Sequence, residues 1–481
     1  KWHQKLLQKL LADDGVIFVS LDFHEQPVMR LIMDEIFGAS NYVSEIACVN
    51  KPSGRSDDKY IATAHESIIV YRKSPLLTLG GFEPEEKITK RYNKRDTDGR
   101  LYREEDLRKR GTHDERTDRP NLFYPFFFNQ ETGELVVGNN DEETPDGFIR
   151  IEPMKSKDVQ GTWRWGQDTA IAQKTYIHPR YMPNKQQWSL FEWEYLDERG
   201  AAKPTTLWDF KDVNSERGTE VFIKYLGFKK EDFPNPKPVG TIQRILQIAT
   251  AGDDIILDSF AGSGTTAHAV LNMNKADGGH RKFIMVQLPE KCDEASEAYK
   301  AGYKNICEIG KERIRRAGEK ILKEQLANNN STLNSPNSKL DIGFRVLKLD
   351  STNMKDVYYA PGDYDQDFLH QLESNIKDDR TDLDLLFGCL IDWGLPLSLP
   401  YKSEQIDGCT VHTYNDGELI ACFDANVPES VVKEIAKRKP LRAVFRDSGF
   451  ESSPEKINMF EIFKLYMPED AGDISKCVRV I

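Results

Sequence analysis

The chain has 481 residues, of which 30% are charged, and a net charge of −12; its mean hydropathy is −0.59 and its pI about 5.4. No apolar run reaches the ~20 residues of a membrane span, the start has no signal-peptide pattern, and seven scattered cysteines without a C-x-x-C pair favour a reducing cytosol and argue against a structural zinc. The expectation is therefore no membrane partner and no metal; a nucleic-acid binder of this acidic balance must concentrate its basic groups locally, and the length leaves room for about three domains.

The chain opens at Lys1 inside a helical pattern, with Trp2, Leu6, Leu7 and Leu10 at helical spacing. The expectation here is a missing front piece. Asp13-Asp14-Gly15 is a turn signal. Val16–Leu21, VIFVSL, is a short continuous apolar run and reads as a buried strand of a parallel sheet, closed by Asp22-Phe23-His24-Glu25. Pro27 suits the first turn of a helix that runs to about Phe37 and stops at Gly38. Ile46–Asn50 and Ser67–Tyr71 are further strand candidates. They flank a polar loop, Lys51–Lys59, and then Ala64-His65-Glu66. His65-Glu66 resembles an acid–base pair, but a loop entering a strand is the plainer reading.

From Gly81 the texture changes. Lys87–Arg119 interleaves Lys and Arg with acids, carries Tyr92 and Tyr102, and has little apolar periodicity. Strand–turn texture follows to Val137, then Trp163-Arg164-Trp165 and a mixed region to Phe233. The block 81–233 reads as an inserted domain. Phe233–Pro238 is a rigid, extended hinge, and Ile242, Ile245, Leu246 and Ile248 mark the helix after it.

Ile255–Val270, IILDSFAGSGTTAHAV, is the stretch with the most chemistry. An apolar strand ends in Asp258. A glycine loop follows, Phe260-Ala261-Gly262-Ser263-Gly264, and a helix begins at Thr265. Glycines let the backbone turn and approach a ligand without a Cβ clash, and a helix start offers unpaired N–H groups. Two cofactor readings compete. Gly262, Gly264 and Ala267 satisfy the dinucleotide pattern G-x-G-x-x-G/A. Asp258-x-Phe260 before the glycines fits an S-adenosylmethionine loop instead. Phe283–Leu288, FIMVQL, is a second buried strand ending in Pro289-Glu290. An acid near this point would meet a ribose in either reading, so Gln287 and Glu290 do not discriminate. The Lys237-Pro238 helix entry and a sheet split by the insertion favour the methyl-donor reading.

A long helix is expected over Glu297–Leu326, with a basic stretch at Lys311, Arg313, Arg315 and Arg316. Ala327–Ser338 is a polar linker whose Asn-x-Ser/Thr sequons carry no weight in a cytosolic chain. The tail, Leu340–Ile481, alternates strands and helices. It has a hairpin over Thr410–Phe423 around Asn415-Asp416-Gly417, a helix over Glu429–Lys439 and a strand at Ala443–Phe445. No catalytic constellation appears there, and it reads as a packing or assembly domain.

The order DDGVIFVSLDFHE, EIFG, HESIIVYRKS, RPNLFYP, WRW, PNPKPVGTIQRIL, LDSFAGSGTTAHAV, FIMVQLPEK, DIGFRVLKLD resembles the modification subunit of type III restriction–modification systems, over nearly the whole chain. Those are beta-class DNA amino-methyltransferases acting on adenine N6. The resemblance implies an α/β fold: a Rossmann-like S-adenosylmethionine-dependent methyltransferase sheet, interrupted by an inserted DNA target-recognition domain, plus a C-terminal α+β domain. The expected parts are 1–80 and 234–326 (methyltransferase), 81–233 (target recognition), 327–338 (linker) and 339–481 (assembly or dimerisation).

By the same resemblance, Asp258, Phe260, Gly262 and Gly264 would line the methionine end of the cofactor, with Ala261 and Thr265 in the same loop. Lys237 and Pro238 would flank the site. Gln287 or Glu290 would meet the ribose; both stay open. Implied partners are double-stranded DNA, a second copy in a homodimer, and a restriction subunit, in a prokaryotic cytoplasm. In 81–233, Arg91, Lys94, Arg95, Arg108, Lys109, Arg110, Arg119 and Arg164 are the candidate DNA contacts. Tyr92, Phe123 and Trp163 are stack-filling candidates, though core packing is the better reading of each.

One departure stands out. The family's catalytic motif, Asp-Pro-Pro-Tyr or a near variant, should precede VIFVSLD, and the chain contains no Pro-Pro dipeptide. No catalytic residue can be assigned. The expectation is a chain that alone binds cofactor weakly and transfers no methyl group; adenine N6 rather than cytosine N4 rests on the family alone. Two other classes remain: a catalytically dead DNA-binding or assembly subunit, and a nicotinamide-type Rossmann oxidoreductase.

Overall fold

In the computed structural model, which describes residues 1–84, 86–156, 158–327, 340–355, 376–469 and 471–481, the apolar run Ile68–Tyr71 forms the middle of the strand Glu66–Arg72. All four side chains are buried. They alternate between two cores. Ile68 and Val70 pack with Ile46, Phe82, Trp208, Val213 and Ile248, and Ile69 and Tyr71 with Met33 and Phe37. A strand covered on both faces needs apolar residues at every position, so the run is continuous. Val16–Leu21 lies on one side of it and Tyr42–Cys48 on the other, both antiparallel to it. Leu207–Trp208 adds parallel to Tyr42–Cys48 as the fourth strand.

The expected parallel pairing of Val16–Leu21 is thus corrected: its partner, Glu66–Arg72, runs antiparallel. A continuous apolar run reports burial, not the direction of the neighbour. The strand is also half-buried rather than buried, because among the described residues it pairs along one edge only. The following helix matches expectation. Gln26–Phe37 has Pro27 in its first turn and ends at Gly38 with φ +86°, a left-handed stop that favours glycine.

Residues 81–233 are mostly short strands. Leu135–Val137, Phe126–Asn129 and Phe148–Ile151 form a three-stranded sheet, and Ile177–Met182, Gln187–Tyr195, Leu101–Asp106 and Lys94–Arg95 a four-stranded one. Phe126, Phe128, Tyr124, Trp163, Leu107 and Leu190 share one core between them. Trp163 donates its indole N–H to the Tyr124 carbonyl at 2.7 Å, satisfying its one polar atom.

The chain then returns to an α/β arrangement. Ile255–Asp258 pairs parallel with Lys282–Met285. The helix Val239–Ala249 packs on Thr265–Asp277, which packs on Ile306–Ala327. Thr265–Asp277 is buried along most of its length, which explains its weak amphipathic pattern. The single long helix expected over Glu297–Leu326 is two helices, Glu297–Lys300 and Ile306–Ala327. Gly302 at φ +98° breaks them, a backbone geometry no right-handed helix contains.

The chain divides into two compact units, 1–342 and 343–481. Residues 328–338 of the expected linker lie outside the described residues. The second unit has a five-stranded sheet in the order Tyr401–Ile406, Cys409–Tyr414, Leu419–Cys422, Ala443–Phe445, Val478–Val480. Its first three strands are antiparallel and its last three parallel. Helices Glu429–Lys437 and Ser453–Tyr466 cover one face and Asp382–Asp392 the other. The expected hairpin turns at Asn415, Asp416 and Gly417, all with positive φ. Among the described residues no helix is long and apolar enough to cross a membrane.

Candidate functional site

The glycine loop is built by steric necessity. Gly262 sits at φ +51° and Gly264 at φ +75°, a region that costs an L side chain ~1 kcal/mol or more. A Cβ on Gly264 would lie 3.1 Å from the Gly310 carbonyl, and one on Gly310 would lie 3.2 Å from the Gly262 carbonyl. The loop and the helix Ile306–Ala327 therefore approach backbone to backbone, and a side chain at either glycine would have to push the facing backbone back by a few tenths of an ångström.

Around that contact the predicted residues converge. Asp258, at the strand end, accepts a 2.6 Å hydrogen bond from the Thr266 hydroxyl and one from the Phe260 N–H. The Ala261 N–H donates to the Val286 carbonyl. The Gly262 N–H donates to the Gln287 side-chain oxygen at 2.7 Å, and the Gln287 amide nitrogen donates to the Leu288 carbonyl. The Thr265 hydroxyl donates to the Lys237 carbonyl, so Lys237 touches the loop through its backbone. Its ammonium pairs with Glu66 at 2.8 Å. Pro238 caps the helix that follows. Phe260 is exposed, as is Glu290. Thus Asp258, Phe260, Ala261, Gly262, Gly264, Thr265, Lys237, Pro238 and Gln287 are brought together. Glu290 stands two residues past Leu288 with its carboxylate in solvent. His65-Glu66 is no acid–base pair here, because Glu66 opens a strand and serves Lys237 and Arg55.

Four residues at the loop were not singled out from sequence as site residues: Ser263, Thr266, His268 and Arg313. Arg313 is fully buried. One Nη donates to Ser263 Oγ and to Thr265 Oγ1, each at 2.7 Å. Burial lowers its pKa to about 9, so it stays charged at neutral pH. His268 is also buried, and burial, with the Arg313 charge adding, lowers its pKa to about 3. Its ring stacks near Tyr225. Arg313 belongs to the basic stretch over 311–316 noted in the sequence. The four-residue spacing of Ile309, Arg313 and Ala317 is the signal that separates the buried Arg313 from its neighbours.

A left-handed glycine loop opening a buried helix, braced from the adjacent strand end and from a second helix, is the strand–loop–helix unit of an α/β fold. Residues 1–317 match the family described as DNA methylase, and the chain belongs to that family, whose chemistry requires a methyl donor. Over 309 residues it is 34% identical to the type II methyltransferase M.KpnI of Klebsiella pneumoniae, covering 63% of this chain and 69% of that one. It is 27% identical to the EcoPI Mod subunit of Escherichia phage P1, a type III restriction–modification enzyme, over 98% of this chain and 72% of that one. It is 25% identical to the EcoP15I Mod subunit of Escherichia coli, over 98% and 71%.

The candidate DNA contacts are mostly engaged within the protein. Arg91 pairs with Glu105, Lys94 with Glu104, Arg110 with Asp106 and Arg164 with Glu192, all within 3.0 Å. Arg95 and Lys109 donate to the carbonyls of Gly99 and Thr112. Arg108 has only 16% of its side chain exposed and lies 3.7 Å from Asp114; Arg119 is exposed. The acids interleaved in the sequence are the partners. In each pair the cation is more exposed than its acid, which is mostly covered. Tyr92, Phe123 and Trp163 are buried, so these aromatics are core.

Proposed function

We propose that this chain carries the methyl-donor site and the DNA-reading segment of a restriction–modification methyltransferase, acting on adenine N6 in duplex DNA with S-adenosylmethionine as donor. The observation that carries the reading is the glycine loop itself: two left-handed glycines pinned by Gln287, with Asp258 held by Thr266 at the strand end, in a chain of the DNA methylase family. The loop fits the group, because the buried Arg313 behind it has two nitrogens without a hydrogen-bond partner and suits a ligand that carries a carboxylate. Gly262–Thr265 would hold the methionine end, with Asp258 and Phe260 beside it and the first N–H groups of the helix facing an anion. Since the Gln287 amide is spent on the loop, Glu290 is the ribose partner.

When bound, S-adenosylmethionine supplies an electrophilic methyl group on sulfur. The exocyclic amine of adenine is a weak nucleophile, because its lone pair is shared with the ring. The protein's part is therefore positioning and electrostatics, on a base turned out of the stack. In this chain the Lys237–Glu66 ion pair lies beside the loop, which Lys237 meets through its carbonyl. The acid and ring that would hold the amine have no counterpart, since no Pro-Pro dipeptide occurs. Within residues 81–233, the part built from the three- and four-stranded sheets, 94–195, acts as the target-recognition segment, whereas Leu207–Trp208 and Phe222 pack with the methyltransferase part. A second copy and a restriction subunit are the proposed partners, as the similarity to type III Mod subunits suggests.

Equilibrium dialysis with S-adenosylhomocysteine and with NADH tests the site: the first is retained weakly, the second not at all. Retention of NADH alone would make the loop a dinucleotide site. Incubation with duplex DNA and S-[methyl-³H]adenosylmethionine should transfer no label, and efficient transfer would overturn that part of the proposal. Any label that enters DNA is expected in N6-methyladenine; N4-methylcytosine would move the target to cytosine.

A further inference from the structure

The environment of Arg313 is unusual for a cation. The side chain is fully buried. Among the described residues no carboxylate pairs with it, and its Nε and second Nη have no hydrogen-bond partner. The compensation in view is two hydroxyl oxygens, Ser263 Oγ and Thr265 Oγ1, and the face of Phe222 with its ring centre 5.8 Å away. Phe222 itself sits on a π-helical turn, Val221–Tyr225, a local winding often found at functional sites. An uncompensated buried charge costs several kcal/mol, so a purely structural brace would be better made by a neutral donor.

The two hydroxyls belong to the glycine loop and to the first residue of the helix after it. Each accepts from Arg313, which leaves each hydroxyl proton free to point elsewhere. That of Thr265 goes to the Lys237 carbonyl. That of Ser263 has no acceptor among the described residues. The loop therefore combines a helix start, a hydroxyl donor and a buried positive charge directly behind them. All three favour negative charge in front of the loop.

We propose that Arg313 is a positioning residue of the cofactor site: it fixes the glycine loop through Ser263 and Thr265, and its buried charge selects a ligand that presents a carboxylate to that loop. This rests on the reading that the site takes S-adenosylmethionine, whose amino-acid end carries such a group. The charge, not only the shape, then separates S-adenosylhomocysteine from 5′-methylthioadenosine, which keeps the adenosine and thioether but lacks the amino-acid end.

The test measures both ligands by equilibrium dialysis on the full chain, up to millimolar concentration, with far-ultraviolet circular dichroism as the check on folding. The unmodified chain binds S-adenosylhomocysteine more tightly than 5′-methylthioadenosine. Arg313→Met weakens the first by about tenfold or more, changes the second by less than about threefold, and so erases the preference. Arg313→Lys, which keeps the charge, retains it. Equal weakening of both ligands by Arg313→Met would reduce Arg313 to a brace, and no change in either would remove it from the site. Should Arg313→Met fail to fold, Arg313→Gln decides. It keeps a donor toward the two hydroxyls but not the charge, and erases the preference; a retained preference there would overturn the role of the charge. If the unmodified chain binds neither ligand, the cofactor reading itself fails, and the proposal with it.

Discussion

His268 shows at the scale of one residue what burial does. Its neighbours in the helix, Ala267, Ala269 and Val270, are buried with it, and Arg313 adds a like charge to the desolvation. The imidazole is neutral in the fold, with a pKa of about 3 against 6.5 when exposed. In the unfolded chain it takes a proton as the pH falls below about 6.5, while the folded chain does not until about 3. The unfolded state thus binds more protons in that window, and stability is lost as pH falls through it. Between pH 6.5 and 4.5 this one group removes about 2 kcal/mol. A His268→Phe variant has no such group, so its urea midpoint should fall less over the same range than that of the unmodified chain. Parallel pH profiles would show that His268 is not buried as a neutral ring.

At the scale of elements, the four-stranded sheet of residues 81–233 explains why a block so rich in Arg and Lys is not a free positive surface. Arg103 bridges to Glu194 on the adjacent strand, and Arg180 reaches Glu104 across the intervening strand Gln187–Tyr195; like pairs occupy most of the cations expected to meet DNA. Cross-strand geometry puts opposite charges side by side, and Leu101–Asp106 supplies a run of three acids, Glu104, Glu105 and Asp106, after Arg103. The prediction for DNA follows from exposure. Replacing Arg108, Lys109 and Arg110 together by Gln weakens duplex binding. The slope of log affinity against log salt becomes shallower by about two rather than three, because Arg108 is mostly covered and Arg110 is not. Filter binding over a salt series reads this directly, and an unchanged slope would remove the patch from the DNA interface.

The whole molecule is two units with separate cores. In residues 343–481 the sheet is covered on both faces by its own helices, with Val431, Ile435, Phe445 and Phe463 in one cluster and Leu386, Leu390, Tyr414 and Phe423 in the other. A unit with a complete core folds by itself. Residues 343–481 expressed alone should therefore give a single cooperative thermal transition, and S-adenosylhomocysteine should not move it. A broad, non-cooperative melt would mean that this unit borrows stability from residues 1–342.

What the sequence determined by itself is local. The Asp258–Thr265 loop was legible because its glycines are demanded by backbone sterics, and those act between near neighbours. The stops at Gly38 and at Asn415-Asp416-Gly417 were legible for the same reason, and the order of motifs along the chain pointed to a DNA methylase. Only the tertiary structure decided the rest. Strand direction beside Val16–Leu21 depends on which partner the chain brings back, and apolar runs do not encode that. The break at Gly302 was passed over because periodicity continues on either side of it. The fate of the basic run depends on acids from strands far apart in sequence, as with Arg103 and Glu194. Arg313 is the clearest case: its residue type suggests surface, and only packing of its helix against the glycine loop puts that charge behind the site.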